Sequence, residues 1–272
     1  MFIPFGFFDG TQACSYTPET CAFIAAVEGG GDTLTTTEKN AVDALVVDLQ
    51  AASLFSTMGY LYPFVGGTST SMKWNLRDTT TAEIAWYGGM TFNSQGIIGN
   101  ASNSGGDSNL NPSTLGYTRM AIGFYLNQGL GLAAGGWYDM GMYDTSTIRD
   151  TMISYGFNGS TNKYVNLSGA YNIYTAGSYT NSTIWMQHDI SNTKLYQGIS
   201  LLGSTVNSFS ISTDDVGIGC SWRRNVVPTG APYGSTGRGF GLAFCSSAAY
   251  SGAQVTDLNN AITTFVTSLS RN

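Results

Sequence analysis

Charge is what this chain has least of. Asp, Glu, Lys and Arg make up only 10% of its 272 residues, against roughly 25% in an average globular protein, so Ser, Thr, Asn and Gly must keep it in water. The formal net charge is −6 and no basic cluster exceeds Arg223-Arg224. The electrostatic footprint of a nucleic-acid partner is therefore missing. No apolar run approaches the ~18 residues that span a bilayer. The N-terminal MFIPFGFFDG is apolar but has no basic start and no small-residue cleavage pattern, so it is expected to be neither signal peptide nor membrane anchor.

Catalytic residue types are also scarce. The chain has one histidine, His188, and a Ser-His-acid triad would need a serine and an acid to converge on it. No G-x-S-x-G elbow is present, and His188 reads as structural. A glycosidase needs two carboxylates facing one cleft. Yet the glutamates Glu19, Glu28, Glu38 and Glu83 have no acid two residues away, and Asp214-Asp215 are adjacent, which on a strand points them to opposite faces. No catalytic residue is assigned. Cys14, Cys21, Cys220 and Cys245 form no C-x-x-C zinc pair. Cys14 and Cys21 are close enough to close a short loop in an oxidising compartment, but free thiols are the expectation. The glycines form no Walker-type or dinucleotide-binding signature.

What is present is pattern. Thr35 and Glu38 make a capping box, and Val42, Leu45, Val46 and Leu49 follow at helical spacing, predicting a helix over 34–51. Leu54, Met58 and Leu61 predict a short helical turn before Pro63. From about residue 64 the period becomes two. Met120, Ile122, Phe124 and Leu126 alternate with other residues, and so do Tyr138, Met140 and Met142. The same holds for Ile184, Met186, His188 and Ile190, for Val216, Ile218, Cys220 and Trp222, and for Phe240, Leu242 and Phe244. These are expected to be half-buried antiparallel strands. Turn-rich stretches such as NASNSGGDSN separate them, which reads as a β-sandwich or barrel. A closing amphipathic helix over 256–270, capped by Asp257 or Thr256, buries Leu258, Ile262, Phe265, Val266 and Leu269, with Arg271 near its negative end. Residues 1–30 read as an apolar arm and 31–272 as one domain. Phe2, Ile3, Phe5, Phe7 and Phe8 of the arm have too little chain to bury them and are candidates for docking.

Two binding chemistries remain open. Asp107, Asn109 and Asn111 could offer oxygens to calcium, although an Asx-rich turn is the plainer reading. Sugars stack on aromatic rings, and Trp222, Arg223, Arg224, Asn225 and Tyr233 gather near one strand end, with Trp137 and Trp185 as further candidates. The register of Trp222 with Val216, Ile218 and Cys220 favours the core instead.

Several segments carry a resemblance. YPFVGGTSTSMKWNLRD, AWYGGMTFNSQGIIGN, TKLYQGISL, DVGIGCSW and the closing RGFGLAFCSSAAYSGAQVTDLNNAITTFVTSLSRN, with the helix LTTTEKNAVDALVVDLQ ahead of them, resemble a family of phage and prophage structural proteins. That family carries a laminin-G-like, concanavalin A-like jelly-roll sandwich. The resemblance implies an all-β-dominated fold with flanking helices, and a virion subunit assembled in the host cytoplasm: capsid decoration, head fibre or tail-associated protein. Its partners would be other virion proteins and copies of itself. It implies no catalytic residue, metal or cofactor, and it leaves Trp74, Trp86 and Phe92 as core or interface aromatics. A receptor-binding lectin recognising host or mucosal glycans is the second reading, and a glycan depolymerase or lyase the third.

Overall fold

The computed structural model describes residues 14–100, 104–128, 139–142, 151–155, 162–167, 170–175, 181–206, 211, 214–219, 221–223, 231–233 and 238–271. In chain order these form α1 (Pro18–Gly29), α2 (Thr36–Ala51), β1 (Met58–Tyr62), β2 (Ala85–Tyr87), β3 (Thr91–Asn93), β4 (Gly96–Ile98), β5 (Gly105–Asp107) and β6 (Arg119–Gln128). Then come β7 (Met140–Met142), β8 (Thr151–Tyr155), β9 (Asn162–Leu167), β10 (Ala170–Thr175), β11 (Ser182–Asp189), β12 (Asn192–Gln197) and β13 (Ser200–Val206). The chain closes with β14 (Gly217–Ile218), β15 (Ser221–Arg223), β16 (Ala231–Tyr233), β17 (Gly239–Ser246) and α3 (Gly252–Ser268).

The strands make two sheets. The first runs β13-β12-β11-β6-β17-β4-β3, with β4 pairing the start of β17 and β1 its end. The second runs β10-β9-β8-β7-β14-β5-β2, with β15 added parallel to β7 and antiparallel to β16. The protein is an antiparallel β-sandwich of the concanavalin A-like, jelly-roll type, with helices against one sheet. Met120, Ile122, Phe124 and Leu126 of β6 meet Met140, Met142, Ile153 and Ile218 of the second sheet in the sandwich core. On the other side of the first sheet, Ala121, Tyr125, Trp185 and Phe244 pack under the three helices.

This third layer changes the burial expected of the strands. An alternating strand was expected to turn one face to solvent. Instead residues 120–126, 183–188 and 239–246 are buried on both faces, because the sandwich lies on one side and helices on the other. A β-bulge in β17 also breaks the expected alternation. Phe240 opposes Leu126 while Leu242 opposes the neighbouring Tyr125, so Phe240 joins the sandwich core and Leu242 and Phe244 join the helical layer. Ile190 leaves its expected row for the β11–β12 turn, where it adopts φ 45° and is exposed.

The helices were legible in part. The Thr35–Glu38 capping box forms as expected. The closing helix starts four residues earlier than its expected bounds, capped by Ser251 with Gln254 in place of Asp257 or Thr256. The turn predicted over 54–61 is a single 3-10 turn, Phe55–Thr57, and Met58 and Leu61 belong to β1. Within the expected arm over residues 1–30, the chain is helical from Pro18 to Gly29. Phe23, Ile24 and Val27 of α1 pack with Val42, Leu45 and Val46 of α2, and the carboxylate of Asp43 accepts from both the backbone N–H and the hydroxyl of Thr17, the α1 cap. Cys14 and Cys21 are joined by a disulfide, against the expectation of free thiols, and Cys245 is free and buried. Phe2, Ile3, Phe5, Phe7 and Phe8 lie outside the described residues.

Two buried arginines lock the layers. Arg238 Nη1 donates to both carboxylate oxygens of Asp139 at 2.6 and 2.7 Å, tying the start of β17 in the first sheet to the start of β7 in the second. Arg271 was expected at the helix terminus but turns inward. It donates to the carbonyl oxygens of Pro63, Phe64, Ser94 and Gly241. Burial lowers its pKa to about 10, with the Glu38 charge acting in the opposite direction.

Candidate functional site

The described sequence candidates lie on different sheets, Trp185 on β11 of the first and Trp222, Arg223 and Tyr233 on β15 and β16 of the second. Trp185 is fully buried rather than available for stacking on a sugar. Its ring stacks on Tyr196 at 4.3 Å between centroids, and its indole N–H donates to the Gly198 carbonyl. Trp222 and Arg223 lie on β15 and Tyr233 on β16, but the register pairs Trp222 with Pro232 and Tyr233 with Ser221, so Trp222 and Tyr233 are not cross-strand partners. Trp137, Arg224 and Asn225 lie outside the described residues. Trp86 and Phe92 pack edge to face at 5.1 Å against the sandwich core, and Trp74 packs under the helical layer.

The calcium candidates serve separate backbone turns. Asp107 Oδ1 accepts from Asn109 N, Asn109 Nδ2 donates to the Glu83 carbonyl, and Asn111 Oδ1 accepts from Thr114 N. Among the described residues no three His, Cys, Asp or Glu side chains gather closely enough to hold a metal. His188 is 1% exposed, with Nδ1 3.0 Å from Thr193 Oγ1. Burial pulls its pKa down to about 4, and the neighbouring Asp189 charge offsets this only in part. No helix among the described residues is long and apolar enough to cross a membrane.

A different place has the form of a site. A groove of about 600 Å³ opens between α3 and the ends of β11 and β12. Its floor is Tyr125 on β6 and Thr183 on β11, which are direct cross-strand partners and so share one face of the sheet. Both are buried, and burial raises the Tyr125 phenol pKa above its usual value. One wall is Asn259, Thr263 and Thr267. Their four-residue spacing makes them a single stripe along α3, beside the buried stripe of Leu258, Ile262 and Val266. The other wall is the turn from Gln197 to Ser200 with Asn181 and Ser182. Gln197 Nε2 donates to Ser182 Oγ at 3.2 Å, and the turn is held by Gly198 N donating to the Thr183 carbonyl at 2.8 Å. Gly198 has φ 54°, and a Cβ there would lie 3.2 Å from Asn259 Oδ1, so glycine lets the turn approach α3.

The chemistry of this lining is uniform. Hydroxyls and amides supply donors and acceptors, Tyr125 and Ile199 supply apolar surface, and among the described residues no Asp, Glu, His, Lys or Arg lines it. Such a surface can hydrogen-bond a neutral, hydroxyl-rich molecule, and its described residues offer no carboxylate, imidazole or amine for general acid–base work. Sequence reading passed over it because Asn259, Thr263 and Thr267 look like an ordinary solvated helix face. The available signal was their fourfold spacing.

No protein-family model matches the chain, and no curated protein matches it. Solved structures do. A mutant Trypanosoma rangeli sialidase displaying trans-sialidase activity superposes with a TM-score of 0.58 at 7% identity, over 82% of this chain and 39% of that one. Domain 4 of an extracellular arabinanase from Geobacillus stearothermophilus, in complex with arabinotriose, gives 0.52 at 14% identity, over 74% of this chain and 98% of that one. The receptor binding domain of a botulinum neurotoxin of mosaic serotype C/D gives 0.51 at 13% identity, over 76% and 51%. These likenesses establish the sandwich fold.

Proposed function

We propose that this protein is a non-catalytic carbohydrate-binding sandwich used for adhesion, with the groove beside α3 as its glycan site. The observation that carries the reading is the lining, whose described residues all present hydroxyl, amide or other neutral groups on a sheet floor built around Tyr125. A glycan depolymerase would need converging acids or bases in its cleft, and the described residues of this groove present none. The arabinanase domain matched over nearly its whole length was solved with an oligosaccharide bound, which supports the reading by analogy of fold. Screening the full chain on a glycan array tests it: selective binding to a set of related glycans is expected, and an array without signal would overturn it.

A second reading concerns where the protein acts. The segments that resemble phage structural proteins favour a place on a virion, as capsid decoration, head fibre or tail-associated subunit, with other virion proteins and further copies of this chain as partners. A glycan-binding sandwich on such a particle would hold it to a host or mucosal surface. Labelled antibody on purified virions, viewed by electron microscopy, decides this: label on capsid or tail is expected, and unlabelled particles would remove the virion reading. The docking role of the apolar N-terminus is tested by deleting residues 1–13 only, since α1 beyond them is part of the core. That deletion should leave a folded protein that fails to join particles.

A further inference from the structure

We infer that the groove beside α3 is selective for neutral over acidic glycans, with the Thr183 hydroxyl as a specificity-determining contact to the sugar; the inference rests on the glycan-binding reading above. Thr183 is 2% exposed, and its Oγ1 is buried with no hydrogen-bond partner. A buried hydroxyl left unsatisfied destabilises a fold, and a methyl group of the same shape would remove the penalty. Thr183 is a floor residue of a groove whose other walls are already hydrogen-bonding surface. A hydroxyl is both donor and acceptor, so it can satisfy a sugar hydroxyl of either orientation, and the ligand completes what the fold leaves open. Tyr125, directly across the sheet, supplies an aromatic neighbour at the same depth.

The exclusion of acidic sugars follows from what is missing around Thr183. A carboxylate or sulfate entering the groove would lose water and find no Lys or Arg among the described lining residues to replace it. The net charge of −6 adds long-range repulsion for anionic ligands. Neutral glycans meet neither obstacle.

The test compares wild type and Thr183→Val, each as the full chain, on an array of neutral oligosaccharides and their sialylated counterparts, with thermal unfolding of both proteins alongside. Wild type should bind neutral members and not their sialylated forms. Thr183→Val, which keeps the β-branched shape, should bind the same glycans about tenfold more weakly, the effect of losing roughly one hydrogen bond, with an unchanged or higher Tm. That pairing of weaker binding with undiminished stability separates a ligand contact from a structural one. Equal affinity of Thr183→Val, or preference for sialylated glycans, would overturn the inference and leave the carbohydrate-binding reading standing. No binding of any glycan by wild type would overturn both.

Discussion

The Trp185 indole N–H donates to the carbonyl oxygen of Gly198 at 3.1 Å, joining a fully buried aromatic of the helical layer to the rim of the groove. Trp185 therefore braces the groove's Gln197–Ser200 turn from the helical layer beneath it. Trp185→Phe keeps an aromatic ring but loses this bond and part of the stack on Tyr196. It should cost about 2 kcal/mol of stability, read as a lower urea midpoint, and should weaken glycan binding through a looser turn at Gly198.

His188 predicts an acid limb. The unfolded chain binds a proton on this imidazole near pH 6.5, whereas the folded protein resists until about pH 4. Between these values the unfolded state holds more protons, so stability falls as pH drops, by on the order of 3 kcal/mol in all. As the only histidine in the chain, its imidazole proton resonance can be followed directly. Titration near pH 4 is expected, and His188→Asn should flatten the stability profile across this window.

Gly123 is required by its neighbours. It pairs with Trp185 on one side and Phe244 on the other, and a Cβ there would lie 2.8 Å from the Ile184 carbonyl oxygen and 2.9 Å from Phe244 Cε1. Gly123→Ala should destabilise by about 3 kcal/mol through overpacking, with a matching drop in denaturant midpoint.

The Arg238–Asp139 pair predicts an asymmetry. Asp139→Ala leaves a guanidinium that is 3% exposed without its carboxylate, and should cost about 3–5 kcal/mol. Replacing both partners by Met and Leu should recover most of that loss, which a three-protein denaturation series would show.

Much of the fold was legible in residue spacing. The alternation in β6 and β11, the Thr35–Glu38 box and the stripe of α3 all follow from period and capping chemistry. What spacing missed arises from tertiary context. Trp185 looks the same in sequence whether its face meets solvent or a helix, and only the packing of α3 on the sheet decides. Phe240 and Leu242 look like one face until a bulge separates them. α1 has apolar residues nearly all round, so it shows no stripe, and its place was set by contact with α2. The groove was least legible, because its parts come from β6, β11, the β12–β13 turn and α3. A buried threonine without a partner has no signature in sequence.

The most direct measurement is an amide chemical-shift titration of the isotope-labelled full chain with the strongest neutral oligosaccharide from the array. Saturable shifts are expected at Thr183, Gly198 and Asn259, with neither the Asp107–Asn111 turn nor His188 affected. Saturable shifts confined to another surface would contradict the assignment of the groove as the glycan site.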